Sequence, residues 1–173
     1  MSANSQYYKT FIKETPDFPI PGVLFRDVSP LLQNAEALQK IISDFSKILT
    51  LYQIAAFVGI ESRGFIFASL LAAKLNKGFI PLRKAGKLPQ PTIKKSYKLE
   101  YGEATLEMAP AMMTNNRVII CDDVLATGGT LRASQELCEE AGYYVEDILV
   151  LIDLTFLNQM TFRDQKIKSL IQY

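Results

Sequence analysis

Val118-Ile119-Ile120-Cys121-Asp122-Asp123-Val124-Leu125-Ala126-Thr127-Gly128-Gly129-Thr130 is the stretch on which the reading of this 173-residue chain turns. Val118 to Cys121 is a continuous apolar run, the pattern of a strand buried on both faces of a parallel sheet. Adjacent carboxylates close the strand, and a Thr-Gly-Gly-Thr turn leads into a helix expected over residues 130–141, which Gly142 would end in the left-handed conformation. Upstream, residues 55–58 form another short apolar strand, 64–75 a helix and 78–81 a strand. Downstream, residues 144–154 give one more strand. Apolar strands alternating with helices predict an α/β domain built on a mostly parallel sheet flanked by helices.

The remaining segments are less regular. Leu38, Ile41, Ile42, Phe45, Ile48, Leu49 and Tyr52 recur at helical spacing, so a helix capped by Asn34 is expected over residues 34–52. Pro16, Pro19 and Pro21 forbid a regular helix before it, and the segment to Pro30 reads as an ordered, extended arm. Residues 85–102 carry Gly86, Pro89, Pro91 and Gly102 and read as a long loop of the lid or binding type, with a returning strand over 104–108. The tail after Thr155 gives no clear pattern.

Composition excludes several chemistries. Apolar residues are 49% and charged residues 21%, with 19 basic against 18 acidic side chains, a net charge of +1. That balance belongs to a globular domain and leaves no overall attraction to nucleic acid or to a membrane surface. The chain has no histidine, which removes a Ser-His-Asp triad, a Cys-His dyad and any histidine metal site. Cys121 and Cys138 make neither a four-thiolate zinc site nor a disulfide framework, so a reducing compartment is expected. The polar N-terminus has no signal-peptide core, and no apolar run is long enough to span a membrane.

At the strand end, glycines let a backbone approach a ligand closely, and the free amides of a helix start suit a phosphate. The adjacent carboxylates suit the neighbouring hydroxyls of a ribose. A bare Thr-Gly-Gly-Thr is usually only a capped helix start, but here it follows Asp122 and Asp123 on a buried strand. No Gly-x-Gly-x-x-Gly occurs, and Gly59 to Gly64 has the glycine spacing of a P-loop but is followed by Phe65-Ile66 instead of Lys-Ser/Thr. Between Arg83 and Lys98 stand Arg83, Lys84, Lys87, Lys94, Lys95 and Lys98 with no acid among them, a pattern that suits either a solvated loop or a polyanion site.

Five segments in order carry a resemblance. They are Phe18-Pro19 to Pro21-Gly22 with Phe25-Arg26-Asp27; Gly59-Ile60-Glu61-Ser62-Arg63-Gly64-Phe65; Arg83-Lys84-Ala85-Gly86-Lys87-Leu88-Pro89; Leu99-Glu100-Tyr101-Gly102; and the strand-end loop quoted above. Each alone is weak or moderate. Together, from Asp17 to about Leu157, they resemble the type I phosphoribosyltransferases. The resemblance implies a single domain over residues 1–173, with a base-binding hood arm over 1–33, a flexible lid loop over about 85–108 and a loop over 118–130 for phosphoribosyl diphosphate (PRPP).

It further implies purine salvage, in which the 5-phosphoribosyl group passes to adenine to give AMP and diphosphate. Asp122 and Asp123 would hold the ribose hydroxyls, and Ala126, Thr127, Gly128, Gly129 and Thr130 the terminal phosphate. Arg63 would reach the diphosphate, and Glu61 and Ser62 would bind it through the amides their turn presents; in this family that turn often carries a non-proline cis peptide. Arg83 and Lys84 would serve the diphosphate within the subunit, while Lys87 would reach the neighbouring subunit of a homodimer. Lys94, Lys95 and Lys98 receive no role and are read as solvated. Phe25 would stack on adenine with Val124 on the other face, and backbone groups of Leu24 and Arg26 would read the purine edge. Glu100, facing the purine N7, would be the general acid/base, with Tyr101 sealing the lid. The metal implied is Mg²⁺ held mainly through PRPP, and the compartment the cytoplasm, with no nucleic acid or membrane partner. Two rivals remain: transfer to a 6-oxo purine, and a non-catalytic PRPP-sensing regulator.

Overall fold

The computed structural model describes residues 3–98, 102–112 and 114–173. Helix α1 (Ala3–Lys9) leads into strands β1 (Lys13–Thr15) and β2 (Phe25–Asp27), which pair antiparallel. Between them the arm turns back on itself at residues 16–24. Gly22 donates its N–H to Oδ1 of Asp17 at 2.7 Å and holds φ at +86°, a value that glycine tolerates without a side-chain clash. Helices α2 (Ser29–Gln33) and α3 (Ala35–Ile48) follow. Asn34 caps α3 as expected, its side chain accepting from the Ala37 amide at 2.9 Å.

Strand β3 (Ala56–Ile60), helix α4 (Gly64–Leu75) and strand β4 (Gly78–Lys84) then form a parallel βαβ unit. Strands β5 (Ile93–Lys98) and β6 (Glu103–Met108) make an antiparallel pair. Strand β7 (Arg117–Leu125), helix α5 (Gly129–Glu140) and strand β8 (Tyr144–Asp153) form a second parallel unit. Strands β9 (Thr161–Phe162) and β10 (Gln165–Lys166) are a small hairpin, and β11 (Lys168–Gln172) runs parallel to β8 at the sheet edge. Gly142, at φ +88°, follows α5 as the sequence leads one to expect.

The seven-stranded sheet has the order β11-β8-β7-β3-β4-β6-β5. Alternation along β7 explains its two cores. Ile119 and Cys121 face the layer of α1, α3 and α4, with Phe45, Phe67 and Leu71. Val118 and Ile120 face α5 with Leu131, Leu137 and Cys138. Both faces of the strand are buried, so its sequence is apolar at every position from 118 to 121.

Several expectations change: the helix expected over residues 34–52 ends at Ile48, the arm to Pro30 holds helix α1 and the β1–β2 pair, and the strand expected over 78–81 runs on to Lys84. The segment read as a long loop over residues 85–102 contains β5. Its inward positions Ile93, Lys95 and Tyr97 alternate with Lys94, Ser96 and Lys98, and a period of two with lysine on both faces does not look apolar. The tail after Thr155, which gave no clear pattern, supplies the sheet's edge strand: Ile171 is fully buried, and Tyr173 donates its N–H to the Asp153 carbonyl at 3.0 Å.

Chain direction reverses across the middle of the sheet. From β3 the chain moves outward to β4, while β7 returns to the opposite side of β3 and β8 lies beyond it. The crevice outside the carboxyl ends of β3 and β7 is therefore a topological switch point, where open α/β sheets bind ligands.

Candidate active site

Two loops meet at that switch point. After β3 comes Glu61-Ser62-Arg63, with the Glu61–Ser62 peptide in the cis form. After β7 come Asp122, Asp123 and the residues up to Thr130. They are held close because Gly64 has no side chain: a Cβ there would lie 2.6 Å from the Cys121 carbonyl oxygen and 3.1 Å from Oδ1 of Asp122.

Arg63 is the centre of the cluster. Its Nε lies 2.7 Å from Oδ2 of Asp123, an ion pair in which the N–H is not aligned for a hydrogen bond, so that oxygen is buried without a donor. Its guanidinium carbon sits 5.2 Å from the ring centroid of Phe25. The Asp123 amide donates to Oδ1 of Asp122 at 2.9 Å. Burial pushes the Asp122 carboxyl well above its ordinary value, and the charge of Asp123 beside it adds to the effect. Burial also raises the Asp123 carboxyl, against the pull of Arg63.

Asp122 and residues 124–131 line a concavity of about 80 Å³. Gly128, at φ +87°, turns the chain into α5, whose N-terminus has no side-chain cap. Its first-turn amides and the positive end of its dipole suit one phosphate group. The hairpin leans over this helix start. Tyr97 Oη is 3.3 Å from Oγ1 of Thr130, and the Lys98 carbonyl oxygen is 3.7 Å from where a Cβ on Gly129 would stand.

The second cation group gathers on Glu61. Arg83 Nε reaches its Oε2 at 3.2 Å, the Lys84 amide donates to the same oxygen at 3.1 Å, and the Lys87 ammonium pairs with Oε1. Burial pushes the Glu61 carboxyl up, but Lys87, the Lys84 amide and Arg83 together outweigh it and hold it at about 2. Behind this turn, Glu107 is fully buried and accepts the amides of Lys87 at 2.6 Å and Leu88 at 2.8 Å. Glu107 thus anchors the backbone that carries Lys87, a role that no local motif announces.

Of the remaining lysines, Lys95 bridges Glu136 at 2.9 Å and Glu140 at 2.6 Å on α5, and Lys94 lies 3.7 Å from Oε2 of Glu107. The solvated reading therefore fails for Lys95, which ties the hairpin to α5.

On the arm, Leu24 is exposed and Phe25 half-buried, with Phe18 packed edge-on against Phe25 at 5.1 Å. Arg26 is buried. Its guanidinium carbon lies 4.0 Å from the Tyr173 ring centroid and 5.7 Å from that of Phe156, and its Nε is 3.5 Å from Glu14. The contacts from Phe156 and Tyr173 were invisible to sequence reasoning because the tail had no assigned structure. Glu100 and Tyr101 lie outside the described residues.

The crevice thus combines a diacid at a strand end, a cradle sized for one phosphate, and a cation group on the neighbouring turn. This donor set suits a phosphorylated pentose that carries a second, more highly charged end. The sequence matches the phosphoribosyl transferase domain over residues 27–155, and the chain belongs to that family. An adenine phosphoribosyltransferase of Bdellovibrio bacteriovorus is 57% identical over 165 residues, 95% of this chain and 98% of that protein. Among solved structures, adenine phosphoribosyltransferase of Rhodothermus marinus superposes with a TM-score of 0.87 at 40% identity, covering 98% of each chain. The Saccharomyces cerevisiae enzyme, complexed with D-2,5-dideoxy-2,5-imino-altritol 1,6-bisphosphate and adenine, superposes with a TM-score of 0.82 at 37% identity over 91% of this chain and 92% of that one.

Proposed function

We propose that this chain transfers the 5-phosphoribosyl group of PRPP to adenine, giving AMP and diphosphate in purine salvage. The observation that carries the reading is the place of Arg63. It contacts the arm residue Phe25 on one side and the strand-end carboxylate of Asp123 on the other. One guanidinium thus joins the elements proposed for base, ribose and diphosphate. The names of the relatives agree, and the yeast enzyme was solved with adenine bound.

In this reading the domain spans residues 1–173, with the hood over 1–33, the lid over about 85–108 and the PRPP loop over 118–130. Asp122 and Asp123 accept from the ribose hydroxyls, and the amides of residues 126–130 hold the terminal phosphate. As the C1–diphosphate bond breaks, C1 becomes oxocarbenium-like and negative charge builds on the leaving group. Arg63, Arg83 and Lys84 stabilise that charge within the subunit, the effect that usually dominates such catalysis, and Lys87, whose ammonium pairs with Glu61 of its own chain, joins them here in place of the neighbouring subunit's site that the resemblance implies for it. Phe25 and Val124 sandwich the adenine ring, and backbone groups of Leu24 and Arg26 select the 6-amino edge. Glu100 exchanges the proton at N7, and Tyr101 closes the lid against water that would hydrolyse PRPP.

Magnesium supplies further charge neutralisation on the diphosphate when bound. Among the described residues no cluster of three acidic, histidine or cysteine side chains forms an all-protein cage. Asp122 and Asp123 supply two strand-end carboxylates that would fit an ion held mainly by substrate oxygens once the 2.7 Å contact of Asp123 Oδ2 with Arg63 is released. A homodimer is the proposed assembly, to be checked by solution mass. The buried free thiols of Cys121 and Cys138 favour the reducing cytoplasm.

The test is AMP formation from PRPP, Mg²⁺ and adenine in competition with hypoxanthine and guanine. A hood that reads the 6-amino edge leaves buried groups unpaired on a 6-oxo base, at about 1–3 kcal/mol each. Adenine should therefore win by at least tenfold in kcat/KM. Equal use of the three bases contradicts the hood assignment, and preference for hypoxanthine makes the chain a 6-oxopurine transferase.

A further inference from the structure

The Glu61 carboxylate sits in the middle of the cations assigned to diphosphate. Its two oxygens take the Arg83 guanidinium at 3.2 Å, the Lys84 amide at 3.1 Å and the Lys87 ammonium. The carboxylate is only 9% exposed, whereas the Arg83 and Lys87 side chains are 32% and 45% exposed, so they can turn to an anion arriving from solvent. Arg83 is also aimed by a hydrogen bond to the Lys87 carbonyl at 3.2 Å. The backbone beneath is fixed independently, because Glu107 holds the amides of Lys87 and Leu88. Glu61 is therefore not needed to keep this turn folded.

We propose that the Glu61 carboxylate is an internal competitor for diphosphate, which PRPP must displace from the Arg83–Lys84–Lys87 cradle and which returns there as the diphosphate product leaves. The inference rests on the proposed phosphoribosyl transfer. It assigns the side chain a role distinct from that of the Glu61-Ser62 backbone. A carboxylate tethered beside its cations acts at high effective concentration, so it lowers the net affinity for any external anion. A product carrying several negative charges would otherwise bind tightly and leave slowly, and product release limits many enzymes. Glu61 trades diphosphate affinity for faster departure.

Removing the charge should tighten diphosphate binding, the opposite of what structural damage does. The pairs are partly exposed, so Glu61→Gln should lower the Kd for inorganic diphosphate roughly fivefold, which is about 1 kcal/mol at 1.4 kcal/mol per tenfold. Calorimetric titration of wild type, Glu61→Gln and Glu61→Ala with inorganic diphosphate and Mg²⁺ reads this directly. The inhibition constant of diphosphate in the AMP-forming assay should fall by the same factor. Equal or weaker binding by the variants, with wild type binding diphosphate, overturns the competitor role and leaves the transferase reading intact. Absence of diphosphate binding by wild type overturns both. In the unmodified protein, the carbon-13 signal of the Glu61 carboxyl should shift when inorganic diphosphate saturates the site, and an unmoved signal also refutes the proposal.

Discussion

Asp123→Asn probes the ribose assignment. The substitution keeps the shape of a side chain that is 8% exposed and removes its charge. If Asp123 accepts from a ribose hydroxyl, the lost hydrogen bond to a charged group costs about 1.5–3 kcal/mol. One term opposes this loss. PRPP must otherwise break the 2.7 Å contact between Asp123 and Arg63, whose side chain is 35% exposed. Such a pair is worth up to about 1 kcal/mol after solvent screening. Taking the pair at its full worth, the difference is about 0.5–2 kcal/mol, or a fall of roughly 2- to 30-fold in kcat/KM for PRPP. Initial rates of AMP formation, with PRPP varied at saturating adenine, measure it. The KM for adenine should stay within about twofold, because no base-binding group is touched. A thermal melt confirms that the fold is kept. A variant with an unchanged melt and kcat/KM for PRPP within twofold of wild type refutes the ribose role of Asp123.

Three further outcomes are expected. Gly64→Ala forces a Cβ to within 2.6 Å of the Cys121 carbonyl, a backbone atom that cannot swing aside; overpacking of this kind costs about 1–3 kcal/mol, and Tm should fall by roughly 3–10 °C. Asp122→Asn should raise stability at neutral pH. The folded state raises the Asp122 carboxyl above its unfolded value, so its stability is greatest below the unfolded value and is lost as pH rises through the folded one. The gain in Tm, about 2–4 °C at pH 7.5, should therefore shrink towards pH 4, and a gain that does not depend on pH shows that another cause is at work. Glu100→Leu should lower kcat by at least about 100-fold while adenine binding changes only slightly; a surviving kcat moves the proton transfer to water or to the substrate.

The parts of the fold that the sequence made legible were those governed by one strand or one helix. Val118 to Cys121 announced a strand buried on both faces, and the two cores on either side of β7 are the reason. Gly64–Leu75 was bounded correctly because its apolar run is set off by the Glu61-Ser62-Arg63 turn before it and by Asn76, in the left-handed conformation, after it. Strand β5 was missed because its inward Lys95 is satisfied by Glu136 and Glu140, forty or more residues away. Pairing of a half-exposed charge with a distant partner leaves no mark on local periodicity. Phe156 and Tyr173 were missed for the same reason. Their rings meet Arg26, and Tyr173 does so at the end of β11, which adds to the sheet edge.

Charge in the site follows the same logic. Read along the chain, Arg83 to Lys98 is a basic run without an acid, and Glu61 belongs to another segment. The sheet order makes β4 the neighbour of β3, so the end of one strand delivers Arg83 and Lys84 beside the Glu61 that follows the other. Parallel pairing of β3 with β7 likewise brings Arg63 to Asp123. Both ion pairs arise because a switch point gathers the ends of strands whose cations and acids are far apart in sequence. A polyanionic substrate entering such a crevice meets cations that already have partners. Its affinity is then set by the difference between two sets of ion pairs, and the acids of the site become determinants of binding as much as its arginines and lysines.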